Sequence, residues 1–251
     1  NALYANTTGS DNVAIGLRAM DANTTGTNNS ALGTDALGAN TTANSNTAVG
    51  YAALKTITTN GGSTAVGREA LTVATGENNT GVGFYALKGN TTGENNVAMG
   101  YAALDANTSA SSNTAVGTHA LGDSTTGGAN TAVGYYALGT NTTAANNTAV
   151  GADALKLNTT GALNTSVGKN SMDSNTTGAN NVALGVDALQ TNTTGSNNVS
   201  LGHAAGDNIT TGGGNVMVGM HAGGSHTTGT DNVCIGPNSG GNETTSDNTL
   251  W

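Results

Sequence analysis

A glycine recurs at a fixed interval along nearly the whole chain, and this period limits the possible folds more than any other feature. Successive glycines are seventeen positions apart, except for one step of sixteen between Gly67 and Gly83, so the chain holds fourteen copies of the repeat. A strict period is typical of a solenoid, in which each repeat forms one coil. Two helices and a turn need 30 or more residues. The period therefore predicts a coil built from short β-strands. The glycines are Gly16, Gly33, Gly50, Gly67, Gly83, Gly100, Gly117, Gly134, Gly151, Gly168, Gly185, Gly202, Gly219 and Gly236.

With this glycine as position 0, the consensus from position −4 reads N-T-A-V-G-x-x-A-L-x-x-N-T-T-G-x-N. Val and Thr favour strands, whereas Gly and Asn favour tight turns and a positive φ. We predict an all-β chain folded as a parallel β-solenoid of about fourteen coils, forming one repeat domain over residues 1–251. Because Asn1 falls inside a repeat, we expect the sequence to be a piece of a longer chain.

The alternation of side chains along a strand divides the N-T-A-V segment into two faces. Position −1 is always Val, Ile, Leu or Met, and we expect this large residue to point inward together with Leu at +4. Ala at −2 would then point outward. An outward column that stays this small favours close approach of another chain and hence an oligomer. The alternative is that Ala only suits a flat sheet face.

Asn occupies position −4 in thirteen of the fourteen copies, and Ser63 takes its place in the other. Stacked Asn amides donate and accept along a column, so we interpret these residues as a structural ladder. The NTT segments at +7, beginning at Asn6 and Asn23 among others, are also glycosylation sequons. The same residues suit a turn with a stacked Thr column. The predicted ladder is Asn12, Asn29, Asn46, Asn79, Asn96, Asn113, Asn130, Asn147, Asn164, Asn181, Asn198, Asn215 and Asn232.

Charge and composition exclude several classes of protein. The formal net charge is −9 with only six Lys and Arg residues, which argues against a nucleic-acid partner. Only 8% of residues are charged, which does not suit a disordered chain. The single cysteine, Cys234, cannot form an internal disulfide, and the longest apolar runs are too short to span a membrane. We therefore expect no membrane insertion of this segment.

No constellation of residues indicates catalysis, a cofactor or a metal ion, so we expect a protein that is not an enzyme. The histidines His203, His221 and His226 lie near one end but occupy different repeat positions. Asp recurs at +5 and at +2, and we interpret these residues as solvated turn residues. The Asp residues at +5 are Asp21, Asp105, Asp173 and Asp207, and those at +2 are Asp35, Asp153 and Asp187.

The positions that vary most are +1 and +2, where charged and aromatic residues replace one another. We expect this corner of the coil to be exposed, and its aromatic side chains could contact a sugar or a protein receptor. These candidate contact residues are Tyr51, Phe84, Tyr85, Tyr101, Tyr135 and Tyr136. The last coils are atypical, with an end region over residues 202–251. At +4, Leu is replaced by Gly206, Gly223 and Gly240, and at −2, Ala is replaced by Ser200, Met217 and Cys234. This change predicts a repacked end in which the other face is enlarged.

The segments DNVAIG (Asp11–Gly16), NNVALG (Asn180–Gly185) and DNVCIG (Asp231–Gly236) resemble the head repeats of YadA-like trimeric autotransporter adhesins. The longer NTAVGYYALGTNTTAANNTAVG (Asn130–Gly151) is similar to repeats of phage tail-fibre proteins, and DNTLW (Asp247–Trp251) resembles the edge of such a region. The resemblance covers nearly the whole chain and implies a left-handed β-roll with three chains side by side. The adhesin repeats are shorter than the repeat of this chain, so we expect one turn, around NTTG, to be wider here.

These observations together predict a structural or adhesive fibre segment, part of an extracellular phage tail fibre or bacterial surface adhesin. We expect a homotrimer that presents or forms a surface for a cell-surface glycan or protein receptor. The alternatives are a stand-alone ice- or glycan-binding solenoid and, third, a polysaccharide depolymerase. For ice binding, adjacent Thr residues at +8 and +9 would leave only one Thr column exposed.

Overall fold

The computed structural model describes residues 1–241 and 244–250, so Trp251 of the DNTLW motif and residues 242–243 of the end region lie outside the described residues. The chain divides into two compact units, Asn1–Thr126 and Gly127–Trp251. Each strand has three residues and occupies positions −3 to −1 of its repeat. The first unit contains β1 (Val13–Ile15), β2 (Ser30–Leu32), β3 (Thr47–Val49), β4 (Thr64–Val66), β5 (Thr80–Val82), β6 (Val97–Met99) and β7 (Thr114–Val116). The second contains β8 (Thr131–Val133), β9 (Thr148–Val150), β10 (Thr165–Val167), β11 (Val182–Leu184), β12 (Val199–Leu201), β13 (Val216–Val218) and β14 (Val233–Ile235).

Within each unit, every strand pairs in parallel with the strand of the next coil. The register places equivalent repeat positions side by side, as in Thr47↔Thr64 and Thr148↔Thr165. A further parallel bridge joins Val233 to Leu250 beyond β14. The prediction of a parallel β-solenoid in which each sequence repeat forms one turn is therefore confirmed. The described residues include no helix long and apolar enough to cross a membrane.

The glycine at position 0 is required by both conformation and space. Gly50 has φ +131°, and a Cβ built on it would lie 2.5 Å from the carbonyl oxygen of Gly67 in the next coil. Side chains other than hydrogen essentially never occupy this backbone region. The stacked glycines therefore place adjacent backbones in contact, and any other residue would push two coils apart.

Three other positions in the coil, −5, +2 and +4, adopt left-handed backbone conformations. In one coil they are Asn28 (φ 58°), Asp35 (φ 59°) and Leu37 (φ 51°). Asn and Asp tolerate this region, whereas a leucine there is strained by about 1–2 kcal/mol. Leu37 is fully buried, so packing of its side chain compensates for the backbone strain.

The core of the coil is narrow, and the residues that fill it show that the strand is oriented opposite to the prediction. Ala48 at −2, Ala53 at +3 and Leu54 at +4 are 0% exposed. The large residues at −1 point outward instead, as shown by Ile15 (59% exposed) and Leu32 (48% exposed). The expectation that −1 points inward and −2 outward was wrong. Once Leu at +4 fills the interior, the space beneath the strand admits little more than a methyl group.

The inward orientation of Ala at −2 removes one reason to expect an oligomer. The Ala column is small because it packs inside the coil, so it is no evidence for a neighbouring chain. The outward surface of the strands carries large aliphatic side chains at −1 and Thr or Val at −3. We call this surface, formed by the −1 and −3 side chains of each strand, the strand face.

The end region is repacked, but not in the predicted manner. Met217 and Cys234, expected to enlarge the outer face, are fully buried and point into the core. A Cβ on Gly223 would lie 2.8 Å from Cε of Met217, so the methionine fills the space that Leu occupies in other coils. In the preceding coil, Ile209 at +7 is buried beside Gly206. Large and small residues have exchanged positions around an interior that remains filled.

Candidate interaction surface

The Asn residues at −4 lie inside the coil and form hydrogen-bonded ladders. Oδ1 of Asn12 accepts the backbone N–H of Asn29 at 2.9 Å, and Nδ2 of Asn29 donates to the carbonyl of Ala43 at 2.8 Å. At the exception, Ser63 keeps the column connected, because its N–H donates to Asn46 and its Oγ accepts from the N–H of Asn79. These amides satisfy backbone groups that the turns leave unpaired.

A second Asn column at +7, which holds the sequons, is also buried. Nδ2 of Asn40 donates to Oδ1 of Asn23 at 2.8 Å and to the carbonyl of Ala43 at 3.3 Å. A glycan on either amide would have no space in the folded coil. Asn6, in the first coil, is the exposed member of this column. The glycosylation interpretation therefore does not fit the buried sequons of this column, which are Asn23, Asn40, Asn90, Asn107, Asn141, Asn158, Asn175 and Asn192.

The candidate aromatic residues lie on the exposed corner, as the sequence predicts. Those of the first unit, together with Arg68, form a stack that extends over four coils. The guanidinium of Arg68 lies 5.7 Å from the ring centroid of Tyr51 and 5.6 Å from that of Phe84. The Phe84 and Tyr101 rings are parallel at 5.6 Å. Tyr85 packs beside Phe84 with a centroid distance of 3.9 Å. These contacts provide aromatic and cation–π stabilisation along the column.

The stacking limits what this corner can bind. Arg68 and Tyr101 cover the two faces of Phe84, so Phe84 presents its edge rather than a free face to solvent. Tyr51 and Tyr101 are each 49% exposed. In the second unit, Tyr135 and Tyr136 pack edge to face at 4.6 Å. The corner therefore exposes mainly the edges of its aromatic rings and offers few free ring faces on which a sugar could stack.

The strand face is the largest apolar feature that sequence reasoning missed. Its exposed aliphatic members include Val13, Ile15, Leu32, Val97, Met99, Val133, Val167, Leu184 and Ile235. Thr at −3 accompanies Val at −1 in β3, β4, β5 and β7, and again in β8 to β10. Within each unit the strands stack in register, so these side chains form a row, and an exposed apolar row is typical of an interaction surface. The sequence contains a signal for this surface. The restriction of position −2 to Ala indicates that another part of the backbone approaches closely on that side of the strand, which leaves the −1 residues on the outside.

Several charged side chains pair across neighbouring coils, at positions outside the strands. Asp35, predicted to be solvated, is only 4% exposed, and Arg18 and Lys55 reach its carboxylate at 2.7 and 3.4 Å. Lys88 bonds Glu69 at 3.0 Å and thereby lowers the pKa of that carboxyl. The interpretation of the Asp columns as solvated turn residues is therefore wrong for Asp35.

Three of the Asp residues at +5 are half-buried, and burial raises the pKa of each carboxyl. The nearby charge of His119 partly offsets this effect on the pKa of Asp105, and Lys156 does so for Asp173. Burial likewise raises the pKa of Asp207, with a smaller opposing effect from His221. No group of three or more His, Cys, Asp or Glu residues in residues 1–241 and 244–250 is arranged to hold a metal ion.

The histidines at the end of the chain separate into two environments. The rings of His203 and His221 meet edge to face at 5.3 Å on the exposed corner. His226 is fully buried at the +7 position, where Ser246 lies 3.4 Å from its Nε2. No protein-family model and no curated protein sequence matches this chain.

Proposed function

We propose that the chain is a structural and adhesive fibre segment in which three copies pack side by side through their strand faces. The observation that carries this proposal is the outward row of aliphatic side chains at −1, with Thr or Val beside it at −3. Complete burial of a fully exposed large aliphatic side chain contributes about 1.5–3 kcal/mol. Partly exposed residues contribute a fraction of this, and each strand supplies one at −1.

Three strand faces that meet around a three-fold axis would cover these side chains in a closed assembly. Such a cyclic arrangement ends its own growth, whereas an uncovered apolar face invites uncontrolled aggregation. The +1 and +2 corner would remain outside as the surface for a glycan or protein receptor. We place this role outside the cell, on a phage tail fibre or a bacterial surface adhesin, and without catalytic activity.

The mass of the native protein in solution tests the trimer. Sedimentation equilibrium or light scattering is expected to give three times the chain mass of 24.3 kDa. A monomer at all accessible concentrations would contradict the proposal. The sequence that follows residue 251 in the gene distinguishes the two settings: a self-cleaving chaperone domain indicates a phage fibre, and an outer-membrane anchor indicates a surface adhesin.

One observation favours ice binding by a monomer as a second candidate. The Thr hydroxyls at +8 are not available for it, because they bond carbonyls of the next coil, as Thr24 does to Thr41 at 3.1 Å. The strand face, however, offers two parallel columns of Thr and Val in exact register. Thermal hysteresis in a monomeric sample would support this candidate, and a trimer without hysteresis would exclude it.

A further inference from the structure

A polar cleft of about 430 Å³ lies on the last three coils and contains no strand residue. It is lined by Asp207, Asn208, His221, Gly224, Ser225, Asn238 and Gly241. The lining residues come from positions +2, +5 and +6. Position +5 carries Lys or Asp in several other coils but is Gly at 224 and 241. The missing side chains open the cleft.

The carboxylate of Asp207 faces this cleft without a protein partner for one of its oxygens. Oδ1 of Asp207 is buried from solvent and accepts no hydrogen bond from any described residue. No Lys, Arg or His nitrogen of the described chain forms a salt bridge with it. A buried oxygen without a partner destabilises the fold by about 1–3 kcal/mol, so a ligand that donates to it gains affinity.

A second cleft, in the first coils, contains a carboxylate that is paired with cationic side chains. It is lined by Arg18, Asp35, Gly38 and Lys55 among others, and has a volume of about 270 Å³. There the two cations bond the carboxylate of Asp35. The C-terminal cleft lies at the same repeat positions, but no described Lys or Arg lines it, and its carboxylate belongs to Asp207 at +5 rather than to a residue at +2. Oδ1 of Asp207 therefore remains available.

The other side chains of the cleft supply both donors and acceptors. Nδ2 of Asn208 donates to the carbonyl of Gly224, and Oγ of Ser225 donates to the carbonyl of Gly241. These bonds leave Oδ1 of Asn208 and the lone pairs of Ser225 Oγ as acceptors beside Asp207, while the Asn238 amide and the His221 ring add donor capacity. An anionic ligand would be repelled by Asp207, and no Lys or Arg among the described residues lines the cleft.

We propose that this cleft binds a neutral saccharide through two adjacent hydroxyl groups, with Asp207 accepting one hydroxyl proton. Each sugar hydroxyl both donates and accepts, which matches the mixed lining, and the two glycines let a ring approach the backbone closely. The site gives the proposed adhesive function a ligand class, and its biological use rests on that function. It does not depend on the trimer, because no strand residue contributes to it.

Saturation-transfer NMR on the native chain tests the proposal with the methyl glycosides of glucose, galactose, mannose and N-acetylglucosamine. Tetrahydropyran-2-methanol, a ring of the same size without adjacent hydroxyls, is the matched ligand control. At least one glycoside is expected to receive saturation and the control ring none. Absence of transfer to all four glycosides would overturn the proposal.

Two variants locate the site by different means. Asp207→Asn removes the charged acceptor, and Gly224→Ala places a methyl 3.3 Å from Oδ1 of Asp207 while keeping the charge. Each is expected to weaken binding roughly tenfold or more.

Matched controls are Asp173→Asn, a half-buried carboxyl in the same column, and Gly38→Ala, whose new Cβ meets a carbonyl at the same 3.2 Å as that of Gly224→Ala. Both should leave affinity within about twofold, since neither lines the cleft. Binding that survives both Asp207→Asn and Gly224→Ala would refute the site, whatever the mass of the assembly. A monomer that still binds would refute only the trimer.

Discussion

Met217 occupies the core volume that the absent side chain of Gly223 leaves free, since a Cβ on Gly223 would lie 2.8 Å from the methionine Cε. Both residues depart from the consensus, which has Ala at −2 and Leu at +4. Gly223 also adopts φ 64°, the left-handed region in which Leu is strained at the same position of other coils. The coil therefore keeps a filled interior and avoids strain at +4.

This exchange predicts strong coupling between the two positions. Met217→Ala should lower the free energy of unfolding by about 2–5 kcal/mol because it leaves a cavity. Gly223→Leu alone should be destabilising through overpacking. The double variant restores the consensus pair and should be more stable than either single variant in urea unfolding. Thr228→Ala, at an exposed position, is the control. Additive losses in the double variant would contradict the proposed complementarity.

The stacked glycines predict a difference between two glycine columns. Gly50→Ala should destabilise by several kcal/mol, because it combines about 1–3 kcal/mol of backbone strain with a clash against Gly67. Gly38→Ala at +5 should lower stability much less, since its Cβ would lie no closer than 3.2 Å to another atom and other coils carry Asp or Lys at that position. Chemical denaturation of both variants gives the comparison. Equal losses would show that the backbone at position 0 is not the limiting constraint.

Sequence reasoning could predict the coil, its period, the buried Leu at +4 and the Asn column, because these follow from repetition and residue type. Alternation separates Ala48 from Val49 without stating which is inside, so only the restriction of the −2 column to small residues indicates that Ala is buried. The choice depends on the width of the interior, which Leu54 from the other side of the same coil already fills. Size alone, which favours Val inward, gave the wrong answer.

The sequence also does not predict the left-handed backbone conformation of the leucines at +4 or the presence of the C-terminal cleft. Leu37 at φ 51° runs against its intrinsic preference and is held there by tertiary packing. Asp207 lacks a cationic partner that Asp35 has, and this difference depends on side chains contributed by neighbouring coils. Such relations appear only once the coils are stacked in register.

The half-buried Asp residues predict a pH dependence opposite to that of an ion-paired carboxylate. Burial raises the folded-state pKa of Asp173 and Asp207 above the ordinary value of 3.8. The folded state then binds more protons than the unfolded state, so these groups lower stability as the pH rises above about 3.8 through the folded pKa values.

Asp173→Asn should raise the melting temperature at neutral pH and lose this advantage near pH 3. Glu94→Gln, at an exposed position, should change little. A melting temperature of Asp173→Asn that stays below that of the native chain at pH 7 would contradict the desolvation argument.

Lysine substitutions on the strand face should separate self-association from folding. Leu32→Lys, Val66→Lys and Met99→Lys together place three charges on alternate coils of the outward face, where lysine reaches solvent in a monomer but would be buried in a trimer. The expected product is a folded monomer with an unchanged circular dichroism spectrum, seen as a threefold fall in mass by light scattering.

The matched control carries Thr25→Lys, Thr42→Lys and Thr92→Lys at the exposed +9 corner. It adds the same charge and should remain a trimer, because that corner lies outside the proposed interface. If both triple variants dissociated, net charge rather than the strand face would control assembly, and if neither did, the interface would lie elsewhere on the coil.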